Sequence, residues 1–256
     1  MPPALALRRR LRRLHDRRGR QRRGRILLEG ERVVVLARQQ GMLLEDLVVL
    51  ESRQDLLLKF PEACPASAEE LAELCTTTSP APAVAATTMP DLLQVDDLDL
   101  RRGLLALDGV QDPGNLGSLI RTAEALGLGG VVLSRGCVDP WSPKVVRGSM
   151  GACLTTALIA GPPLEESLRL LAGRGVALLA GVAEGGQPPG EIGDPGPWCL
   201  VLGSEAHGIS IEVQQLPLRS LTLRIGGSVG SLGVAAAGAI LMHLLRQGES
   251  DRARCR

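Results

Sequence analysis

Apolar residues recur along this chain in two rhythms, short β-branched or leucine-rich runs and longer stretches of helical spacing. Ile26 to Gly30 reads as a strand, Glu31 to Gln40 as a helix, and Leu47 to Leu50 as a second strand. Ser67 followed three residues later by Glu70 has the capping-box form for a helix reaching Leu74. Val84 to Ala86 is a weak last strand. These elements predict a small α/β unit of about 65 residues ending near Pro90. Beyond Gly103 the alternation lengthens. Strands are predicted at 104–108, 130–133, 176–182, 199–202 and 221–225. Helices are predicted at 115–127, 143–151, 164–173, 209–215 and 234–246, with a short apolar stretch at 154–159 and a Gly/Pro-rich loop at 184–197. That order predicts a parallel sheet with helices on both faces. The expected division is a basic arm (1–24), a small α/β domain (25–92), an acidic linker (93–102), a larger α/β domain (103–248) and a tail (249–256).

Composition narrows what such domains can do. With one Phe, two Trp and no Tyr among 256 residues, base stacking on aromatic platforms is nearly closed off, and any nucleic acid must be held mainly by charge and shape. The net charge of +1 hides a strong asymmetry: eleven Arg against a single Asp16 lie between Arg8 and Arg25, and the rest of the chain balances at −9. A basic arm on an acidic body points to a polyanionic partner held at one end. The competing reading of such a run is a solvated, disordered arm, although Leu7, Leu11 and Leu14 stand at helical spacing within it. Six cysteines without a C-x-x-C pair predict buried thiols of a reducing compartment and no metal site. No apolar run free of Gly and charge is long enough to span a membrane, and the Arg cluster lacks the apolar core of a secretory signal. The expected location is the cytoplasm, with an organellar matrix as the lesser alternative because the arm is Arg-rich and acid-poor.

Three clusters carry the candidate chemistry, each at the carboxyl end of a predicted strand. The first is Asn115-x-Gly117-x-x-x-Arg121, following Asp108 and the loop GVQDPG, with Asn115 expected to cap the helix. The second is Gly203-Ser204-Glu205-Ala206-His207-Gly208. The third runs from Leu223 through Gly226, Gly227, Gly230 and Ser231 to Leu232 and Gly233. Singly each is weak, since glycine after a strand is ordinary turn punctuation.

Together and in this order they resemble the three motifs of the SpoU (TrmH-like) family of RNA ribose 2′-O-methyltransferases, in the SPOUT class. LDGVQDPGNLGSLIRTAEALG reproduces that family's Asp-Pro-x-Asn, Gly and Arg, and Ser134 to Ala152 is similar to its link towards the central helix. Gly203, Glu205 and Gly208 match the second motif. Arg25 to Pro90 is similar to the ribosomal-protein-like substrate-binding domain that often precedes the catalytic one. The resemblance implies a trefoil-knotted parallel α/β catalytic domain, S-adenosyl-L-methionine as cofactor, a homodimer, and RNA as partner, ribosomal rather than transfer. It implies no metal. It implies catalytic roles for Arg121, Asn115, Glu205 and Ser231, and cofactor contacts at Gly203, Leu223, Ile225 and Leu232. Arg20, Arg22, Arg23, Lys144 and Arg147 are the candidate RNA contacts.

The implied reaction is in-line attack of a ribose 2′-hydroxyl on a sulfonium methyl, for which the protein supplies alignment, a proton acceptor and electrostatics. In the family the Arg matched by Arg121 is assigned to deprotonating the hydroxyl. Neutralising an ordinary guanidinium at pH 7 costs roughly 7 kcal/mol, so base and oxyanion stabiliser both stay open as roles. Glu205 is expected to pair with Asn115 or Arg121. Two positions depart from the pattern: Gly233 stands where the third motif has Asn, and Arg224 where Pro is usual. Loss of the Asn amide leaves a catalytically silent RNA-binding or ribosome-assembly factor as the alternative.

Overall fold

The computed structural model describes residues 5–77, 79–227 and 232–254, with side chains up to residue 247. It divides into two compact units, Met1–Asp91 with Asp139–Thr155, and Leu92–Val138 with Thr156–Arg256.

The first unit opens with helices α1 (Leu5–Arg12) and α2 (Arg17–Arg23). Strand β1 (Arg25–Glu29), α3 (Glu31–Gln39), β2 (Glu45–Leu50), α4 (Gln54–Lys59), β3 (Cys64–Ala66), α5 (Ala68–Leu74) and β4 (Ala83–Thr88) follow. The sheet order is β1-β4-β2-β3, so β4, which looks weak in sequence, lies inside the sheet and pairs antiparallel with both β1 and β2. Its alanines suit a position covered on both faces. The capping box at Ser67 and Glu70 forms as expected. α4 and β3 escape the sequence pattern; β3 carries Pro65 and accordingly sits at an edge. The basic arm is folded: Leu11 and Leu14 enter the core with Leu27, Val48, Leu71 and Val84, and Leu7 packs against them. Burial of that leucine stripe offsets the cost of ordering the Arg-rich segment. α7 (Pro143–Gly148) belongs to this unit and contacts β1.

The second unit is a six-stranded, wholly parallel sheet in the order β10-β8-β9-β5-β6-β7. Its elements are β5 (Leu104–Asp108), α6 (Pro113–Ala125), β6 (Gly130–Leu133), β7 (Leu158–Ala160), α8 (Leu164–Gly173), β8 (Ala177–Gly181), β9 (Trp198–Gly203), α9 (Ile211–Gln214), β10 (Arg219–Leu221) and α10 (Val234–Arg254). The apolar runs of β5 and β9 are buried on both faces, the pattern parallel strands require. Alternate residues Leu104, Ala106, Cys199 and Val201 pack with Leu164, Leu168 and Leu171 of α8. Val95 and Leu98, inside the segment expected to be a linker, enter the same core. Strand order reverses between β5 and β9. Asp108 and Gly203, the last residues of these strands, pair across the ladder, and the crevice beyond such a reversal is where open α/β sheets bind ligands.

Candidate active site

Two of the three glycine-bearing loops leave the sheet from the Asp108–Gly203 pair. The helix after the first begins earlier than the sequence suggests: Asp112, not Asn115, is its N-cap, accepting from the Asn115 backbone N–H at 2.8 Å, with Pro113 next. Asn115 is thereby moved into the first turn, and its side chain is released from capping. Its Nδ2 donates to Glu205 Oε1 at 2.9 Å. The same oxygen accepts from the backbone N–H of Val234, the first residue of α10, at 3.4 Å. One carboxylate therefore joins α6, the loop after β9 and the start of α10. A negative charge at the N-terminus of α10 is also favoured by the helix dipole.

The second loop is closed by reciprocal Ser204–Gly208 backbone bonds, and Ser204 Oγ accepts from the His207 N–H. Gly203 has no substitute here: a Cβ on it would lie 2.1 Å from the backbone carbon of Gly208. Asp108 Oδ2 accepts from the Ser210 N–H at 2.8 Å, pinning the far end of the loop back to β5.

Beside this junction lies a cavity of about 690 Å³. Its lining includes Gly203, Glu205, Leu223, Ile225, Leu232 and Gly233. The four cofactor positions expected from sequence are all on its wall. Strand β10 ends at Leu221, so Leu223–Ile225 leave the ladder as irregular chain bordering the cavity and do not extend a strand over 221–225. The volume falls within the roughly 300–1,000 Å³ of small-molecule sites. Apolar walls, a glycine rim and one carboxylate, Glu205, among the described lining residues fit a nucleoside bearing a sulfonium cation. Ser231 lies outside the described residues. His207 is exposed on the rim and borders the cavity.

Other candidates fall elsewhere. Arg121 is exposed on α6, on the face shared with Gly114, Ser118 and Ala125, and is not among the described residues lining the cavity. Arg20 is corrected outright as an RNA contact. It is 3% exposed, paired with Asp139 at 2.5 Å and bonded to the carbonyls of Leu14 and His15. Arg147 is likewise engaged inside its unit, donating to the buried Glu29 carboxylate, which also accepts from Thr76. Arg22, Arg23 and Lys144 are exposed. Arg224 pairs with exposed Glu191 at 3.3 Å, an interaction worth little in water. Of the thiols, Cys153 and Cys199 are buried and pushed up to about 12 by desolvation. Cys64 and Cys137 are only half-buried.

Residues 103–243 match the SpoU rRNA Methylase family. The chain belongs to that family. Residues 9–85 match the MRM3-like substrate binding domain, in agreement with the small α/β domain expected ahead of the catalytic one. The chain is 35% identical over 250 residues to an uncharacterised tRNA/rRNA methyltransferase of Synechocystis sp., covering 93% of this chain and 89% of that protein. It is 32% identical over 235 residues to the 23S rRNA (guanosine(2553)-2′-O)-methyltransferase RlmP of Bacillus subtilis, covering 91% and 93%. Among solved structures, the SpoU methyltransferase AviRb of Streptomyces viridochromogenes, crystallised with AdoMet, superposes with a TM-score of 0.82 at 25% identity, covering 96% of this chain and 98% of that one. A TrmH-family protein of Porphyromonas gingivalis gives 0.80 at 30% identity, covering 95% and 98%.

Proposed function

We propose that this protein methylates a ribose 2′-hydroxyl of RNA, taking the methyl group from S-adenosyl-L-methionine, with ribosomal RNA as the substrate class and the cytoplasm as the place of work. The observation that carries the reading is the convergence on Glu205 of Asn115 and the α10 N-terminus at the edge of a cavity of the right size and lining. The named relatives that act on 23S rRNA, and the AdoMet complex of a structural neighbour, support it.

When bound, the cofactor supplies a methyl group on a sulfonium leaving group. The chain's own work is positioning. Gly203 lets the loop after β9 fold back on Gly208 beside the cavity, Leu223, Ile225 and Leu232 exclude water, and Glu205 fixes Asn115 relative to the start of α10. Arg121 is the residue assigned to the 2′-hydroxyl, holding its proton or the developing negative charge. Since Arg121 points from the open face of α6, we assign its partner site to a second copy of the chain. The α10 residues Ile240 and Leu244, 43% and 40% exposed, are the apolar surface for that homodimer. A trefoil threading of the segment from β10 to α10 belongs to the same reading.

The test is methyl transfer from labelled cofactor to unmodified ribosomal RNA, read as ribose positions resistant to alkaline cleavage. Activity in the wild type and its loss in Arg121→Ala are expected. No transfer above the variant would end the proposal.

A further inference from the structure

The arginines of the arm divide into two sets. Four are used inside the fold: Arg8 pairs with Glu70 and Glu73, Arg10 with Asp46, Arg20 with Asp139 and Arg25 with Glu45. The other seven, Arg9, Arg12, Arg13, Arg17, Arg18, Arg22 and Arg23, are exposed and have no carboxylate partner among the described residues.

Six of these lie on α1 and α2, and Arg13 directly follows α1. Leu11 and Leu14 anchor α1 in the core. Arg20 ties α2 to the end of α1 through two 2.9 Å bonds, to the carbonyls of Leu14 and His15. Contact is close at the crossing, where a Cβ on Gly19 would lie 1.6 Å from the Arg13 carbonyl oxygen, so only glycine fits. Arg12 and Arg13 at the end of α1 therefore adjoin Arg17 and Arg18 at the start of α2 in one cationic surface. Like charges one turn apart, Arg9 with Arg13 and Arg18 with Arg22, repel. Among the described residues none of these seven has a carboxylate partner, so the surface is left with an excess of positive charge that an external polyanion would relieve.

The kind of anion follows from what the surface lacks. The Phe and Trp rings, Phe60, Trp141 and Trp198, are buried at 1%, 4% and 0% exposure, and the one imidazole of the arm, His15, is half-buried against the Leu74 carbonyl, so this surface offers no open ring to an unpaired base. Cations fixed on two packed helices suit phosphates that are themselves fixed in rows, as in an RNA double helix read by shape and charge. We infer that the α1–α2 arginine surface docks on the phosphate backbone of a double-helical segment of the RNA substrate. This rests on the RNA reading above and adds where and how the RNA is held.

The test uses the full chain without cofactor, a 20-base-pair RNA duplex, and one of its strands alone. Seven phosphate contacts predict a loss of affinity for the duplex of about 10³–10⁴-fold between 50 and 200 mM salt. Arg13→Gln should lower the log–log salt slope by about one. Arg169→Gln, the same charge change at an exposed position of α8, should leave it unchanged. A combined Arg9, Arg12, Arg13, Arg17 and Arg18→Gln variant should bind the duplex at least 100-fold more weakly, with melting temperature and AdoMet binding preserved. Should that variant misfold, the Arg13 and Arg169 pair still decides. An unchanged slope in Arg13→Gln, or equal affinity for the single strand, would overturn the inference. Methyl transfer by the wild type, measured alongside, separates the two claims. Transfer without arginine-dependent duplex binding sinks only the docking surface, whereas duplex binding without transfer sinks only the enzymatic reading.

Discussion

Asn115 and Glu205 lie 90 residues apart in the chain, yet the Asn115 amide donates to the Glu205 carboxylate at 2.9 Å. That bond joins the helix after β5 to the loop after β9, and the second contact of the same oxygen, to Val234, draws in α10. If Glu205 positions Asn115 for the reaction, Glu205→Gln and Asn115→Ala should each lower kcat by 10- to 100-fold. The double variant should lose less than the sum, by about 1–2 kcal/mol of coupling. Additive losses would mean the two side chains act separately.

Gly233 offers a gain-of-function experiment. A Cβ there would meet Glu205 Oε1 at 3.6 Å, ordinary van der Waals contact. Gly233→Asn should therefore fold and place an amide beside the Glu205 carboxylate. Turnover is expected to rise several-fold, with the RNA KM little changed. Unaltered turnover would show that the Glu205 junction suffices without the amide.

Gly203→Ala tests the close approach of the second loop. The added methyl collides with backbone rather than a flexible side chain, so the loop must move. Overpacking of this kind costs about 1–3 kcal/mol. Calorimetric titration should show AdoMet affinity reduced at least tenfold, with RNA binding preserved.

The Arg20–Asp139 pair should be a stability determinant of the first unit, not a binding group. Arg20→Gln leaves Asp139 and two carbonyls short of donors, a loss of about 3 kcal/mol for breaking a buried pair. Urea unfolding checks this. Asp139→Asn should cost less, since its amide oxygen still accepts from the guanidinium.

Cys153 and Cys199 are raised from an ordinary value of 9.0 to about 12 by burial. On unfolding they ionise more readily, so their contribution is intact below pH 9 and is lost as pH rises from 9 towards 12. At pH 10 each should cost roughly 1.4 kcal/mol. The urea midpoint should fall between pH 8 and pH 10, and Cys153→Ala should reduce the drop.

Much of this was legible along the chain. The apolar runs of β5, β6 and β9 state a buried parallel sheet, because only strands covered on both faces tolerate such continuity. The leucine spacing of α1 states an inner face, and the Ser67–Glu70 pair a helix start. The glycine clusters mark the loops of the site for local reasons, a close backbone approach at Gly203 and a left-handed backbone at Gly208. Misreadings came where a local cue had two uses. Asn115 and Asp112 are both good caps, and the choice depends on which backbone N–H each can reach. Arg20 and Arg22 are alike by residue type and differ only in which way α2 turns them. Val95 and Leu98 look like linker until their place against α8 and the sheet is known.

The α/β alternation and the identity of the three loops follow from sequence, since periodicity and turn chemistry are properties of neighbouring residues. The division of the chain does not, because Asp139–Thr155 joins the first unit and the segment expected as a linker packs into the second. Which loops meet, which arginines are used up in ion pairs, and which carboxylate joins three segments were decided only in the folded chain. Those contacts span up to 119 residues, as between Arg20 and Asp139. Strand order and helix packing set such distances, and no local pattern encodes them.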